Sequence, residues 1–276
     1  MDPAEMRRRV ASSPLARAAA FPSRIRAVSR HNAAVASQTA RWLVTRREHT
    51  NFTYDLTPLN LEHLAWWASS VSGAPVADCR RWITEILANR SLHEHAYRIS
   101  VSAGRRGVTD AKIRLARRAG WYAVIRAIRP DNVVETGTDK GLGSLVIAAA
   151  LLRNGNGALT TIDINPDSGF LISGAYADVT RIERGDSLAT IEQFQETVDL
   201  FIHDSDHSAE HEAAEFRAVA DHLAPSAIVL SDNSHITFEL PKWADETGRT
   251  FAFFREAPED HWYPGAGIGA AWQSRS

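Results

Sequence analysis

The stretch Val133-Val134-Glu135-Thr136-Gly137-Thr138-Asp139-Lys140-Gly141-Leu142-Gly143-Ser144 constrains this chain more than any other. A turn-forming Pro130-Asp131-Asn132 precedes it, and an apolar run from Leu145 to Leu152 follows. A short β-branched run therefore enters a glycine-rich loop, and the loop opens a helix. An α/β sheet presents a ligand site in this way, at the carboxyl end of its first strand. Glycines let the backbone approach a ligand closely and remove side chains where helix meets strand.

The spacing is Gly-x-x-x-Gly-x-Gly, which fits a dinucleotide fingerprint poorly. Glu135 stands two residues before the first glycine, where the strand ends. A carboxylate there repels a pyrophosphate and suits a cationic, hydrogen-bond-donating cofactor. S-adenosylmethionine (SAM), with a sulfonium, an ammonium and no phosphate, meets that description. A strand–turn–helix with an incidental acid is the simpler alternative.

From Asp131 onward the chain alternates strand, loop and helix. Leu159–Asp163, Thr180–Asp186, Val198–Asp204 and Ala227–Asp232 read as further strands, with a helix over Ala209–Leu223. Such alternation predicts a parallel, doubly wound sheet. Thr250–Arg255 and Ala266–Trp272 read as an antiparallel pair closing it. The expected fold is α/β, a doubly wound Rossmann-like sheet with an antiparallel C-terminal strand, preceded by an N-terminal helical extension. The expected division is 1–119 for the helical region and 120–276 for the sheet domain.

Open sheets bind ligands at the carboxyl ends of their strands, and four strand ends here carry acids: Glu135, Asp163, Asp204 and Asp232. Asp163 follows Gly143 by 20 residues, the place from which an acid accepts ribose hydroxyls. Asp186 is placed to sit near an adenine edge. Asp204 and the pair Asp232-Asn233 end neighbouring strands. Two carboxylates and an amide oxygen are hard ligands suited to Mg²⁺ or Mn²⁺. The plainer alternative is that Asp206 or Ser208 caps a helix and Asp232-Asn233 makes a turn. His207, three residues after Asp204, has an ordinary pKa of about 6.5, suited to a general base, with His203, His211 and His235 as local competitors. His203 should point away if Asp204 points in, since strand side chains alternate.

In the N-terminal part, residues 1–47 are rich in Arg and Ala, a composition like that of a transit peptide. Ile25, Val28, Ala33, Val35, Trp42 and Leu43 nevertheless fall at helical spacings, so a folded helix is expected. Thr57-Pro58 reads as a helix start. Val76, Cys79, Trp82, Ile83 and Ile86 share one helical face. His93 and His95, two apart, suit no metal pair and read as surface residues. Thr109-Asp110 reads as the cap of a third long helix ending before Pro130. Five of the eight tryptophans lie in residues 1–130, as core packing or as one wall of a pocket.

The net charge of −2 hides an asymmetry, with 22 Lys+Arg against 9 Asp+Glu in residues 1–130 and 9 against 24 in the rest. The halves could attract each other, or the basic half could face an anionic ligand. No nucleic-acid-binding motif accompanies the charge, and no apolar run approaches the roughly 20 residues that span a bilayer. One cysteine, Cys79, excludes an internal disulfide. A cytoplasmic protein with neither nucleic-acid nor membrane partners is expected.

Taken together, these residues resemble the metal-dependent class I SAM O-methyltransferases. They are similar to catechol and caffeoyl-CoA O-methyltransferases, and more closely to the bacterial group that includes macrolide-sugar methyltransferases and proteins labelled cephalosporin hydroxylase. Thr161-Ile162-Asp163-Ile164-Asn165-Pro166-Asp167 resembles the catechol enzyme's second-strand motif, with Asp in place of its Glu. Ile202-His203-Asp204-Ser205-Asp206-His207-Ser208 and Ser231-Asp232-Asn233 match the family's metal-bearing strand ends. The resemblance covers roughly residues 120–272.

It implies SAM contacts from Glu135, Gly137, Thr138, Gly141, Gly143, Ser144, Asp163, Asp186, Ser187 and Asp204. It also implies Mg²⁺ (or Mn²⁺) on Asp204, Asp232 and Asn233, with His207 as base toward a small-molecule hydroxyl. N-terminal helices that cover the substrate and build a homo-oligomer are implied as well. Two other classes stay open: a metal-dependent hydrolase or oxygenase using His203, Asp204, His207 and Asp232, and a non-catalytic SAM-binding regulator.

Overall fold

The computed structural model describes residues 5, 14–48, 52–104, 110 and 112–273. They fall into two compact units, one comprising Met1–Arg46 and Asp260–Trp262, the other Arg47–Glu259 and Tyr263–Ser276. The first unit holds α1 (Pro14–Ala19) and the 25-residue α2 (Phe21–Thr45). Phe21, Ile25, Val28, Leu43 and Val44 are exposed on α2. Near its end Arg41 pairs with Asp260 at 3.4 Å, and the Trp42 ring meets His261 and Trp262 edge-on.

The second unit begins with β1 (Asp55–Leu56) and then α3 (Pro58–Ser72). As expected, Thr57 caps α3, accepting from the Asn60 N–H at 3.3 Å, and Gly73 ends it at φ 74°. Next come α4 (Val76–Leu87), with Cys79, Ile83 and Ile86 buried, and α5 (Arg90–Ser102). His95 is not free on the surface: its ring packs on Tyr176 and its Nε2 lies 3.0 Å from the Leu171 carbonyl.

The expected long third helix is shorter. It runs as α6, Arg118–Ile128. Thr109 lies outside the described residues. Asp110 accepts from the Arg47 N–H at 2.8 Å, Ala116 adopts φ 46°, and the Arg117 N–H is held by Glu256 Oε1 at 3.0 Å. With those groups committed elsewhere, the helix cannot begin before Arg118.

The sheet follows: β2 (Asn132–Thr136), α7 (Leu142–Asn154), β3 (Ala158–Asp163), β4 (Thr180–Arg184), α8 (Ser187–Ile191), β5 (Val198–His203), α9 (Ala209–Ala220), β6 (Leu223–Asp232), α10 (Glu239–Glu246), β7 (Thr250–Arg255), β8 (Pro258–Glu259) and β9 (Gly267–Trp272). Its seven strands lie in the order β4-β3-β2-β5-β6-β9-β7. All are parallel except β9, which runs antiparallel to both neighbours, and β8 pairs only with β1.

Strand alternation supplies a core on each face. Val133, Leu200 and Ile202 join a cluster with Leu64, Trp121, Leu145 and Ile147, while Val134, Phe201 and Val229 join Phe216 and Trp243 on the other side. The first cluster also takes in Val71, Ile86, Leu92 and Leu115. Side chains from α3, α4 and α5 and the segment before α6 thus share one core with the sheet. Trp67 and Trp121 are buried in it, whereas Trp66 is exposed. No helix among the described residues is long and apolar enough to cross a membrane.

Candidate active site

The strand order reverses between β2 and β5, and the crevice beyond their carboxyl ends is where open α/β sheets take ligands. The glycine loop leaves β2 there. Gly137 sits at φ 85°, and a Cβ on it would lie 2.0 Å from the Asp204 carbonyl oxygen. Only glycine fits both the backbone angle and that approach. Gly137→Ala is expected to cost about 1–3 kcal/mol through the backbone angle alone and to push Asp204 out of place. Thermal denaturation and ligand titration check this; an unchanged melting temperature would contradict it.

Gly141 is the N-cap residue of α7, and Gly143 lets Glu135 Oε1 approach to where a Cβ would leave only 2.5 Å. Glu135 itself is 1 % exposed. Its Oε2 accepts from the Ser144 hydroxyl and from Thr161 Oγ1 at 2.8 Å, and Thr138 shares a 2.7 Å hydrogen bond with Thr161. Burial pushes the Glu135 carboxyl up to about 7. Glu135, Thr138 and Ser144 thus brace the loop through Thr161 of the next strand.

Asp163 ends β3, half-buried, with Oδ2 accepting from the Asp139 N–H and Oδ1 from the Asn165 N–H, both at 2.8 Å. It ties the glycine loop to the next strand end, and each oxygen keeps a lone pair for a hydroxyl. Ile164 beside it is 78 % exposed, an apolar surface at the strand end. Asp186 is the cap of α8, accepting from the Ala189 N–H at 2.9 Å. Ser187 is buried and donates to Glu215 Oε1 at 2.5 Å. These two residues hold the β4–α8 turn.

Glu215 was not legible as a functional residue. It is wholly buried on α9 and takes hydrogen bonds from Thr136, Ser187 and Ser205, with His203 Nδ1 at 2.7 Å and His211 Nε2 at 2.9 Å. Although burial opposes it, these partners, His203 foremost, pull its carboxyl down to about 2. His203 does point away from Asp204, as strand alternation requires. Its ring still lies 5.4 Å from that of His207, edge to face.

The register places His203 beside Ser231, so Asp204 and Asp232 leave neighbouring strands side by side. Ligand atoms of the two carboxylates lie within 4.8 Å of each other. Burial, then the charge of Asp232, raises the Asp204 carboxyl well above the ordinary range, whereas Arg117 outweighs burial and holds Asp232 below it. Asn233, at φ 52°, turns the chain, and its Nδ2 lies 3.0 Å from His207 Nε2. His207 Nε2 is 3.9 Å from Asp204 Oδ1. Burial, with His203 and Arg117 adding to it, lowers the His207 pKa, so the ring is neutral at neutral pH. Ser208 caps α9 and the Ser208 N–H is held by Asp206 Oδ1, as the plainer reading of this segment has it. His235 is exposed.

Two arginines complete the cluster. Arg117, buried, donates through Nε and Nη2 to both oxygens of Asp232, and its Nη2 is 3.4 Å from Asn233 Oδ1. Its Nη1 lies 3.0 Å from Glu256 Oε2, which also takes the Tyr54 hydroxyl at 2.6 Å. Arg118 Nη2 is 3.6 Å from Asp204 Oδ2, and its guanidinium stands over the Trp121 ring.

This arrangement bears on the expected Mg²⁺ site. Ligand atoms of Asp204, His207 and Asp232 do lie within 4.8 Å of one another. Asp232, however, already gives both oxygens to a guanidinium, and Asn233 faces that guanidinium with its oxygen and His207 with its nitrogen. A divalent ion on Asp232 would stand about 4–5 Å from Arg117, a repulsion of roughly 7 kcal/mol at an effective dielectric of about 20 before counter-charges are included. As arranged, the donor set fits a divalent ion poorly.

Residues 134–234 match the family described as "Methyltransferase domain". No curated protein matches the chain in sequence. Solved structures resemble the fold. Cofactor-bound Rv0187 from MTB is 16% identical, with a TM-score of 0.55 over 68% of this chain and 92% of its own. The O-methyltransferase from Bacillus cereus in complex with SAH (S-adenosylhomocysteine) is 14% identical, with 0.54 over 74% and 100%. The O-methyltransferase TomG from Streptomyces achromogenes, involved in tomaymycin synthesis and solved with SAM, is 14% identical, with 0.52 over 68% and 91%. The matched segment spans the glycine loop, Asp163, Asp204, His207 and Asp232.

Proposed function

We propose that the chain is a SAM-dependent O-methyltransferase acting on the hydroxyl of a small molecule. The observation that carries this reading is the convergence, at the β2–β5 switch, of the glycine loop and Asp163 with the Asp204–His207–Asp232 cluster. The loop receives the methionine end of SAM at Gly137–Gly141. Asp163 takes the ribose hydroxyls, and Ile164 offers the adenine an apolar surface. His207, neutral and half-buried, accepts the acceptor's proton, and the oxygen attacks the sulfonium methyl in line. Positioning of this kind supplies up to roughly 7–11 kcal/mol of a barrier.

Asp163→Ala tests the cofactor assignment. It removes a charged acceptor and is expected to weaken SAM by roughly 1.5–3 kcal/mol. Calorimetry on the folded variant measures this, and unchanged affinity would remove Asp163 from the site.

The proposal includes a homo-oligomer, supported by the apolar residues that α2 leaves exposed: Phe21, Ile25, Val28, Leu43 and Val44. Light scattering on the full chain reads its state directly, and a monomer at micromolar concentration would contradict it.

A further inference from the structure

The Asp204–Asp232 pair is the kind of site that a cation holds together, and the chain brings its own cations to it. Arg117 and Arg118 are consecutive at the start of α6, yet they part: one binds Asp232 and Glu256, the other approaches Asp204. The placement of Arg117 is over-determined. Its backbone N–H, Nε, Nη1 and Nη2 all have carboxylate partners, and Tyr54 fixes the far carboxylate. A planar guanidinium with fixed charge and a fork of donors suits this role where an ammonium would not. Three carboxylates, Asp204, Asp232 and Glu256, face two guanidiniums. The cluster therefore already holds two fixed cations of its own among its carboxylates.

We infer that Arg117 and Arg118 take the place of the divalent ion, so that methyl transfer at this site runs without metal. The inference rests on the SAM-dependent reading above. The acceptor hydroxyl lies beside His207 in the field of the guanidiniums. Its O–H bond breaks and the proton passes to the His207 imidazole. The oxygen bonds to the cofactor's methyl carbon, and the electron pair of the breaking C–S bond returns to sulfur, leaving a thioether. The guanidiniums stabilise the negative charge that develops on oxygen, as fixed cations do in other transfers.

The test uses the full chain, stripped of metal by chelation and dialysis. Free Mn²⁺ is followed by its electron paramagnetic resonance signal, and SAH binding by calorimetry in a parallel sample. The expected result is SAH binding unaffected by chelation and a Mn²⁺ signal that the wild type leaves unchanged. Arg118→Gln, which uncovers Asp204 without opening the Arg117 network, should bind Mn²⁺ at least about tenfold more tightly than the wild type, the factor that corresponds to 1.4 kcal/mol. Stoichiometric capture of Mn²⁺ by the wild type, abolished by Asp204→Asn, would overturn the inference while SAH binding left the SAM reading standing. An Arg118→Gln protein no better at binding Mn²⁺ than the wild type would overturn it too. Failure of the wild type to bind SAH would instead remove the SAM reading itself.

Discussion

Replacing Arg117 by Met is expected to cost the fold about 3–5 kcal/mol, the range for breaking a buried ion pair from one side. The loss arises from what remains. Asp232 and Glu256 are both almost wholly buried, and each would be left without the guanidinium that now donates to it. Tyr54 and the Ala266 N–H would still donate to Glu256, but Asp232 would lose the donors to both of its oxygens and keep only the more distant charge of Arg118. The effect depends on pH in a definite direction. Arg117 holds the Asp232 carboxyl below its ordinary range, so its contribution is fully present above the unfolded value of about 3.9 and is lost as pH falls through the folded value. The gap between wild type and variant should therefore be widest near neutrality and shrink in acid. Urea denaturation at pH 7 and at pH 2 measures both points. A gap that widens in acid would show that the pair does not stabilise the fold in this way.

His207→Ala is expected to lower kcat by about 10²–10⁴-fold, the usual range for losing a general base, while SAM affinity is kept. His207 stands at the mouth of α9, touching Asn233 and close to Asp204, and none of the glycine-loop residues depends on it. Burial and its neighbours lower its pKa, so the rate should rise with pH through a midpoint below the ordinary histidine value of about 6.5 and be flat above it. That rising limb should vanish in the variant. Full activity in His207→Ala would place the base elsewhere.

The sheet and its strand ends were legible because each signal is local. A β-branched run, a glycine loop, an apolar helix and an acid at the strand end all fall within about twenty residues, and the period-2 pattern fixes which side chains share a face. The antiparallel closing strand was readable for the same reason. The helix start at Arg118 was not, because Thr109-Asp110 has the form of a cap while Asp110 is engaged by the distant Arg47.

Nor did local pattern reveal the arginines of the site. Arg117 lies 115 residues from Asp232 and 139 from Glu256, so their meeting is a product of the tertiary fold. The charge asymmetry between the two halves was the one signal pointing to it, and Arg117 and Arg118 are where basic and acidic halves meet in the cluster. Glu215 escaped for a related reason. On a helix, an acid among polar neighbours reads as solvent-facing, and only the packing of α9 beneath the strand ends buries it among five partners. Glu135 stands out in the sequence, but which way its carboxylate turns is decided by Gly143 and Thr161, across the loop and on the next strand.

The central claim is that the crevice at the β2–β5 switch binds SAM, and equilibrium titration of the full chain with SAM, alongside NAD⁺, tests it most directly. The account predicts saturable one-to-one binding of SAM, weakened in Asp163→Ala and in Gly137→Ala, and no comparable binding of NAD⁺, whose pyrophosphate the loop spacing does not suit. Absence of SAM binding by the folded protein, or tighter binding of NAD⁺, would contradict it.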